Sequence, residues 1–126
     1  MTKAGRILVV EDEIMIRMLA VDMLLDFGYE CDEAGNAAEA MEHLRASGGK
    51  YVLVLLDIGL PDKRGDDLIK DIRGIDAKIP LLVASGEDEA ALKSRLKSFA
   101  PIGFLGKPYD PNRLRSALEG LAVKPR

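Results

Sequence analysis

The sequence predicts an α/β protein built as a five-stranded parallel sheet with helices on both faces. Three observations predict it. Short apolar runs alternate five times with amphipathic stretches along the chain, the pattern of repeated strand–helix units. The runs differ in kind: the first, third and fourth are continuously apolar, the second alternates, and the fifth contains two glycines. A polar group stands at or just past the end of runs one, three, four and five.

The elements follow in order. RILVV (6–10) reads as a short buried strand, and EIMIRMLAVDMLLDFG as a helix with Ile16, Ala20, Met23 and Phe27 at helical spacing and Gly28 as its C-terminal cap. YECDEA (29–34) alternates and suits a strand with one wet face. Asn36 caps the next helix, with Glu39 in the capping-box position and Ala40, Met41 and Leu44 on one side, until Ser47-Gly48-Gly49 ends it. YVLVLL (51–56) is the most strongly buried strand. Gly65 or Asp66 opens a helix with Leu68 and Ile72 inward, and IPLLVA (79–84) is a fourth strand, with Pro80 tolerable at its start. EDEAALKSRLKSF is a helix that turns Leu92, Leu96 and Phe99 inward. IGFLG (102–106) is the fifth strand, and Asp110-Pro111 starts a last helix with Leu114, Ala117, Leu118 and Leu121 toward the core. Right-handed crossovers leave few topologies, and order 2-1-3-4-5 places the alternating and glycine-bearing strands at the edges.

Composition narrows the function. A chain of 126 residues, 48% hydrophobic and 31% charged, is one globular domain, expected over residues 5–122 with short tails at 1–4 and 123–126. A net charge of −3 disfavours nucleic acid as a direct ligand. No apolar run is long enough to span a membrane, and MTKAGR carries no secretory signal. The single Cys31 cannot form an internal disulfide, which suits a reducing cytosol; it reads as a small buried hydrophobe. The single His43 reads as a solvated helix residue.

In a parallel sheet all strands point one way, so the polar groups after the strands gather at one rim: Glu11, Asp12 and Glu13, then Asp57, Ser85 and Lys107. Ligands of open α/β sheets bind at that rim, where the strand order reverses, here between strands one and three. Carboxylates about 4 Å apart repel by roughly 4 kcal/mol at an effective dielectric near 20. They call for a cation, and oxygen donors that keep waters and bridge to phosphate suit Mg²⁺. Lys107 adds a point charge for a phosphoryl group and Ser85 a hydroxyl. The set fits an aspartate that attacks phosphorus. Glu13 reads more simply as the cap of the first helix.

With ILVVEDE (7–13), LLDIGLPDKRG (55–65), LLVASG (81–86) and GFLGKP (103–108) in this order, the chain resembles the response-regulator receiver domain of bacterial two-component signalling, with its flavodoxin-like fold. The resemblance implies that Asp57 accepts a phosphoryl group from a histidine kinase or histidine phosphotransfer protein. It implies Mg²⁺ held by Asp12, Asp57 and the backbone oxygen of Gly59, with Glu11 acting through water. It implies phosphoryl contacts from Ser85 and Lys107, an aromatic switch at Phe104, and a cis bond before Pro108. It further implies a signalling domain and no enzyme beyond slow self-dephosphorylation, in the cytoplasm, as a monomer or weak dimer. Glu11, Ser85 and Phe104 depart from the commoner aspartate, threonine and tyrosine. On phosphorylation the face made by the fourth helix, the fifth strand and the fifth helix would shift, and Lys93, Lys97, Arg113 and Arg115 would form a basic patch there.

Rival readings fare less well. An aspartyl-nucleophile phosphohydrolase of the haloacid-dehalogenase type wants an acid where Gly59 stands. No glycine-rich nucleotide loop follows strand one, and its EDEI is too acidic for the phosphate of FMN. An interaction module that never meets phosphate stays open, as do a stand-alone regulator, suggested by the opening methionine, and a piece of a larger protein. With only a short run after the last helix, no output domain is expected within these 126 residues.

Overall fold

The computed structural model describes residues 5–121. Its elements are β1 (Arg6–Val10), α1 (Ile14–Asp26), β2 (Glu30–Ala34), α2 (Ala37–Ala46), β3 (Tyr51–Asp57), α3 (Gly65–Ile75), β4 (Leu81–Ser85), α4 (Glu89–Leu96), a 3₁₀ turn (Lys97–Phe99), β5 (Ile102–Gly106) and α5 (Pro111–Gly120). The sheet is parallel throughout, in the order β2-β1-β3-β4-β5, as the runs predict. The expected domain end at Ala122 and both tails lie outside the described residues.

Side chains alternate across a strand, so the central strands feed two cores. Leu8, Val10, Val54, Leu56, Leu81 and Val83 face α2, α3 and α4. Ile7, Val9, Leu53, Leu55, Leu82 and Ala84 face α1 and α5. This explains why β1, β3 and β4 read as unbroken apolar runs: both faces are covered.

Helix ends follow the capping chemistry, with differences in detail. Asn36 accepts from the Glu39 amide (2.8 Å), Asp88 from Ala91 (3.1 Å) and Asp110 from Arg113 (2.8 Å). The Glu39 carboxylate reaches back one residue further than a capping box requires, to the Gly35 amide (2.7 Å). Asp62, from the loop after β3, accepts from the Ala37 and Ala38 amides (2.9 and 3.0 Å) and caps α2 from outside. The fourth helix is shorter than the pattern implied, because Lys97–Phe99 tighten into the 3₁₀ turn.

The structure refines the reading of α1. The buried residues are Ala20 and Leu24, while Ile16, Met23 and Phe27 are only half-buried. Large apolar residues also stand on its solvent side, with Met15 72% exposed, so periodicity had little contrast to orient it. Gly28 lies one residue past the cap Phe27, at φ 98°. Its amide bonds the Leu25 carbonyl, and the Tyr29 amide bonds that of Leu24 (both 3.0 Å), a Schellman closure. The Glu13 side chain does not cap α1; the Glu11 carboxylate instead accepts the Glu13 amide (3.2 Å). His43 is not simply solvated, since its Nε2 lies 3.0 Å from the Glu33 carbonyl oxygen.

Arg73 was not anticipated. Its guanidinium donates to the carbonyls of Phe99 (2.8 Å), Asp76 (3.2 Å), Ile79 (2.7 Å) and Pro101 (2.9 Å). It closes the rim where α3 ends and β4 and β5 begin, opposite the carboxylates.

Candidate functional site

Strand register brings the polar ends level. Val10 pairs with Leu56, Asp57 with Ala84 and Ser85 with Gly106. The ladder continues one step past the strands through Glu11 N to Ala34 O (3.0 Å), Ile58 N to Ala84 O (3.2 Å) and Lys107 N to Ser85 O (2.8 Å). Backbone hydrogen bonds therefore set the height at which Glu11, Asp57, Ser85 and Lys107 emerge.

The Lys107 ammonium lies 3.1 Å from Asp57 Oδ1 and 2.8 Å from Glu11 Oε1. Glu11 and Asp57 are buried, while Asp12 is exposed. One carboxylate oxygen from each of Glu11, Asp12 and Asp57 lies within 4.8 Å of the other two. Burial raises the Glu11 pKa above the usual carboxylate value, opposed chiefly by its hydrogen bond with Lys107. Burial also works to lower that of Lys107, but hydrogen bonds to Glu11 and Asp57 prevail and hold it up, so the ammonium stays charged. One fixed cation against three carboxylates leaves a surplus of negative charge in a partly dry cleft. Three hard oxygen donors at this spacing could hold a divalent ion.

Gly59 stands beside the carboxylate: a Cβ there would lie 3.9 Å from Asp57 Oδ2. Ser85 is buried, and its Oγ accepts the Glu87 amide at 2.9 Å. The Lys107–Pro108 bond is cis, as is Ala100–Pro101, which had not been expected. Phe104 does not join the carboxylates. It is half-buried on β5, packs against the core on the α2–α4 side, and lines a groove of about 620 Å³ with Lys93, Lys97 and Leu121. Arg113 lines a neighbouring groove that also includes Phe104. Arg115 is no part of that basic patch, because its guanidinium sits 4.5 Å from the centre of the Phe27 ring, beyond the end of α1.

Two neighbours of the site escaped the sequence reading. Arg17 donates to the Glu11 carbonyl (2.8 Å) and to Glu33 (3.0 Å). As the lone cation of α1, close after an acidic triplet, it carried a signal that periodicity alone does not use. Tyr109 packs beside Lys107, and burial, followed by the charge of Glu11, pushes its hydroxyl up to about 12. Cys31 is half-buried, and burial lifts its thiol to about 11, which makes it unreactive.

Comparisons with known proteins bear on this site. A family model described as "Response regulator receiver domain" matches residues 7–119. The chain is 33% identical to chemotaxis protein CheY of Thermotoga maritima, over 90% of this chain and 93% of that protein. It is 31% identical to sensor kinase CckA of Brucella abortus, over 96% of this chain but 13% of the kinase. The structure superimposes on CheY4 of Vibrio cholerae with a TM-score of 0.83 and 27% identity, covering 93% of this chain and 98% of that one. It also superimposes on the receiver domain of the hybrid histidine kinase CckA, with a TM-score of 0.78 and 31% identity, covering 93% and 98%.

Proposed function

The chain belongs to the response-regulator receiver family and is a phosphoacceptor of two-component signalling; on that premise we propose that Asp57 is the residue that takes the phosphoryl group. The observation that carries this reading is the Lys107 ammonium held against Asp57 at 3.1 Å at the end of a buried strand. A carboxylate oxygen of Asp57 attacks phosphorus, the bond from phosphorus to the donor nitrogen breaks, and its electron pair leaves with the donor imidazole. Lys107 then turns from Glu11 and Asp57 toward the transferred oxygens. The Ser85 hydroxyl donates to one of them, which draws the β4–α4 loop inward.

Asp12, Asp57 and the carbonyl of Gly59 would hold Mg²⁺, with Glu11 reaching it through water. The bound ion supplies positive charge that offsets the negative charge of the transferred group. The donor set supports this choice, being all oxygen, anionic and close-set. Phosphorylation adds about −1.5 to −2 charges and three acceptor oxygens at one strand end. Phe104 follows Ser85 by repacking, since it has no hydroxyl to place, and the α4–β5–α5 groove changes shape.

Receiver domains take their phosphoryl groups from histidine kinases or phosphotransfer proteins, and a donor of that class is the partner proposed here, with no nucleic acid bound directly. Among the described residues no helix is long and apolar enough to cross a membrane. Cytoplasmic residence is proposed from the partner's chemistry. The protein is proposed to be a monomer or weak dimer and a signalling domain without turnover of its own beyond slow loss of the group.

Incubation with acetyl phosphate and Mg²⁺, followed by intact-mass measurement, tests the reading. One added phosphoryl group in the wild type and none in Asp57→Asn is the expected result. A gain that survives Asp57→Asn contradicts it.

A further inference from the structure

The switch just described requires the β4–α4 loop to move, and one side chain ties that loop to the start of α3. Arg95, in the last turn of α4, donates through Nε to Asp66 Oδ2 at 2.6 Å and through Nη2 to Asp66 Oδ1 at 3.3 Å. Its Nη1 lies 3.5 Å from Glu87 Oε1. Glu87 is the residue whose amide donates to Ser85 Oγ. One guanidinium thus spans α3, α4 and the loop that carries the phosphoryl-binding serine.

Asp66 stands on a rigid mount. The Gly65 amide donates to the Ile58 carbonyl (2.9 Å), and a Cβ on Gly65 would come within 2.6 Å of Ile58 Cα. The start of α3 is therefore pressed directly onto the residue after Asp57, with Gly59 and Arg64 bridged beside it. The Asp66 side chain is only 16% exposed. It also sits in the first turn of α3, and Arg95 near the last turn of α4, where the helix dipoles favour an anion and a cation respectively. The bidentate geometry fixes the distance and the angle between the two helices.

We propose that the Arg95–Asp66–Glu87 cluster is an electrostatic latch that holds the β4–α4 loop in its resting position, so that phosphoryl binding at Asp57 must work against it. This rests on the reading of Ser85 as the group that moves toward the phosphoryl oxygens. Arg95 touches no substrate and is a positioning residue acting through Glu87 and Ser85. Drawing Ser85 toward Asp57 pulls Glu87 and the start of α4 away from α3, and the ion pair is stretched. The latch thus weakens the affinity of the site for any phosphoryl-like group, in a manner that salt relieves.

The test is calorimetric titration with beryllofluoride, a phosphoryl mimic, at saturating Mg²⁺, on wild type, Arg95→Met, Asp66→Asn and the double variant. At about 0.1 M ionic strength, where charges still interact over about 10 Å, both single variants should bind about two- to fivefold more tightly than wild type, and the double variant no more tightly than either. At about 1 M, where the screening length is about 3 Å, the advantage should shrink, though a contact pair at 2.6 Å keeps part of it. Equal affinities at low salt, weaker binding by the variants, or an advantage of the same size at low and high salt overturns the latch; a salt-independent advantage would mark a packing effect. A wild type that takes up no beryllofluoride overturns the phosphoacceptor reading and the latch with it, an outcome distinct from wild type and variants binding alike.

Discussion

Lys107 holds two buried carboxylates at once, and its removal has opposite effects on stability and on metal binding. Lys107→Met leaves Glu11 in a dry site without its cation, which should cost about 1–3 kcal/mol in denaturant unfolding. The same change removes the charge that competes with a divalent ion, so Mg²⁺ should bind more tightly by calorimetry. Weaker Mg²⁺ binding in the variant would mean that the ammonium organises the acids instead of competing with metal. At the far rim, Tyr51 donates to Asp32 at 2.5 Å, with Arg6 at 2.8 Å and Lys50 at 3.4 Å from the same carboxylate. Burial opposes ionisation of Asp32, but Tyr51, Arg6 and Lys50 together prevail and depress its pKa. A depressed carboxylate contributes stability above its unfolded value, about 3.9, and loses it as pH falls through the folded one. The gap in melting temperature between wild type and Asp32→Asn should therefore be widest near neutrality and shrink below about pH 4; a constant gap would refute this. At this scale the sequence singled out Glu11, Asp12, Asp57 and Lys107 because each stands at or just past the end of a strand, and the fold does bring them to one rim. The sequence could not show that Lys107 also pairs with Glu11, since side-chain reach is not a property of pattern.

Among the elements, α1 separates what periodicity can and cannot decide. Leu24 is fully buried and Met18 is 54% exposed, though both are large and apolar. Leu24→Ala should cost about 2–5 kcal/mol and Met18→Ala almost nothing, measured by urea midpoint. Comparable losses would mean that the helix sits in another rotation. The sequence marked this helix, its glycine stop and much of its inward face, since Ala20, Met23 and Phe27 all meet the core, but it missed Leu24, because many apolar residues on every side blur the contrast on which a face is read. The amphipathic α3 was easier, and Leu68 and Ile72 are buried as its spacing implied. Caps made by neighbouring side chains were legible at Asn36 and Asp110. The cap supplied by Asp62 was not, because it crosses 25 residues of chain. Asp62→Ala should cost about 1 kcal/mol, with amide-exchange protection lost first in the opening turn of α2.

Across the whole molecule, strand order does most of the work. Two continuously apolar strands lie side by side at the centre, each followed at one rim by carboxylates, and the order reverses between them. That much was readable from the chain, and the fold and family follow from it. The Arg73 clamp and the Arg95–Asp66 link were not readable, because each joins segments that only the fold makes neighbours. A site of three acids and a lysine at one rim is expected to carry a phosphoryl group on a single oxygen-bearing side chain. The direct measurement is borohydride reduction of protein treated with acetyl phosphate and Mg²⁺, followed by peptide mapping, since an aspartyl phosphate is reduced to homoserine. Homoserine at position 57 alone is the predicted result; homoserine at position 12 instead, or a phosphoryl group retained on a hydroxyl or imidazole, would contradict the account.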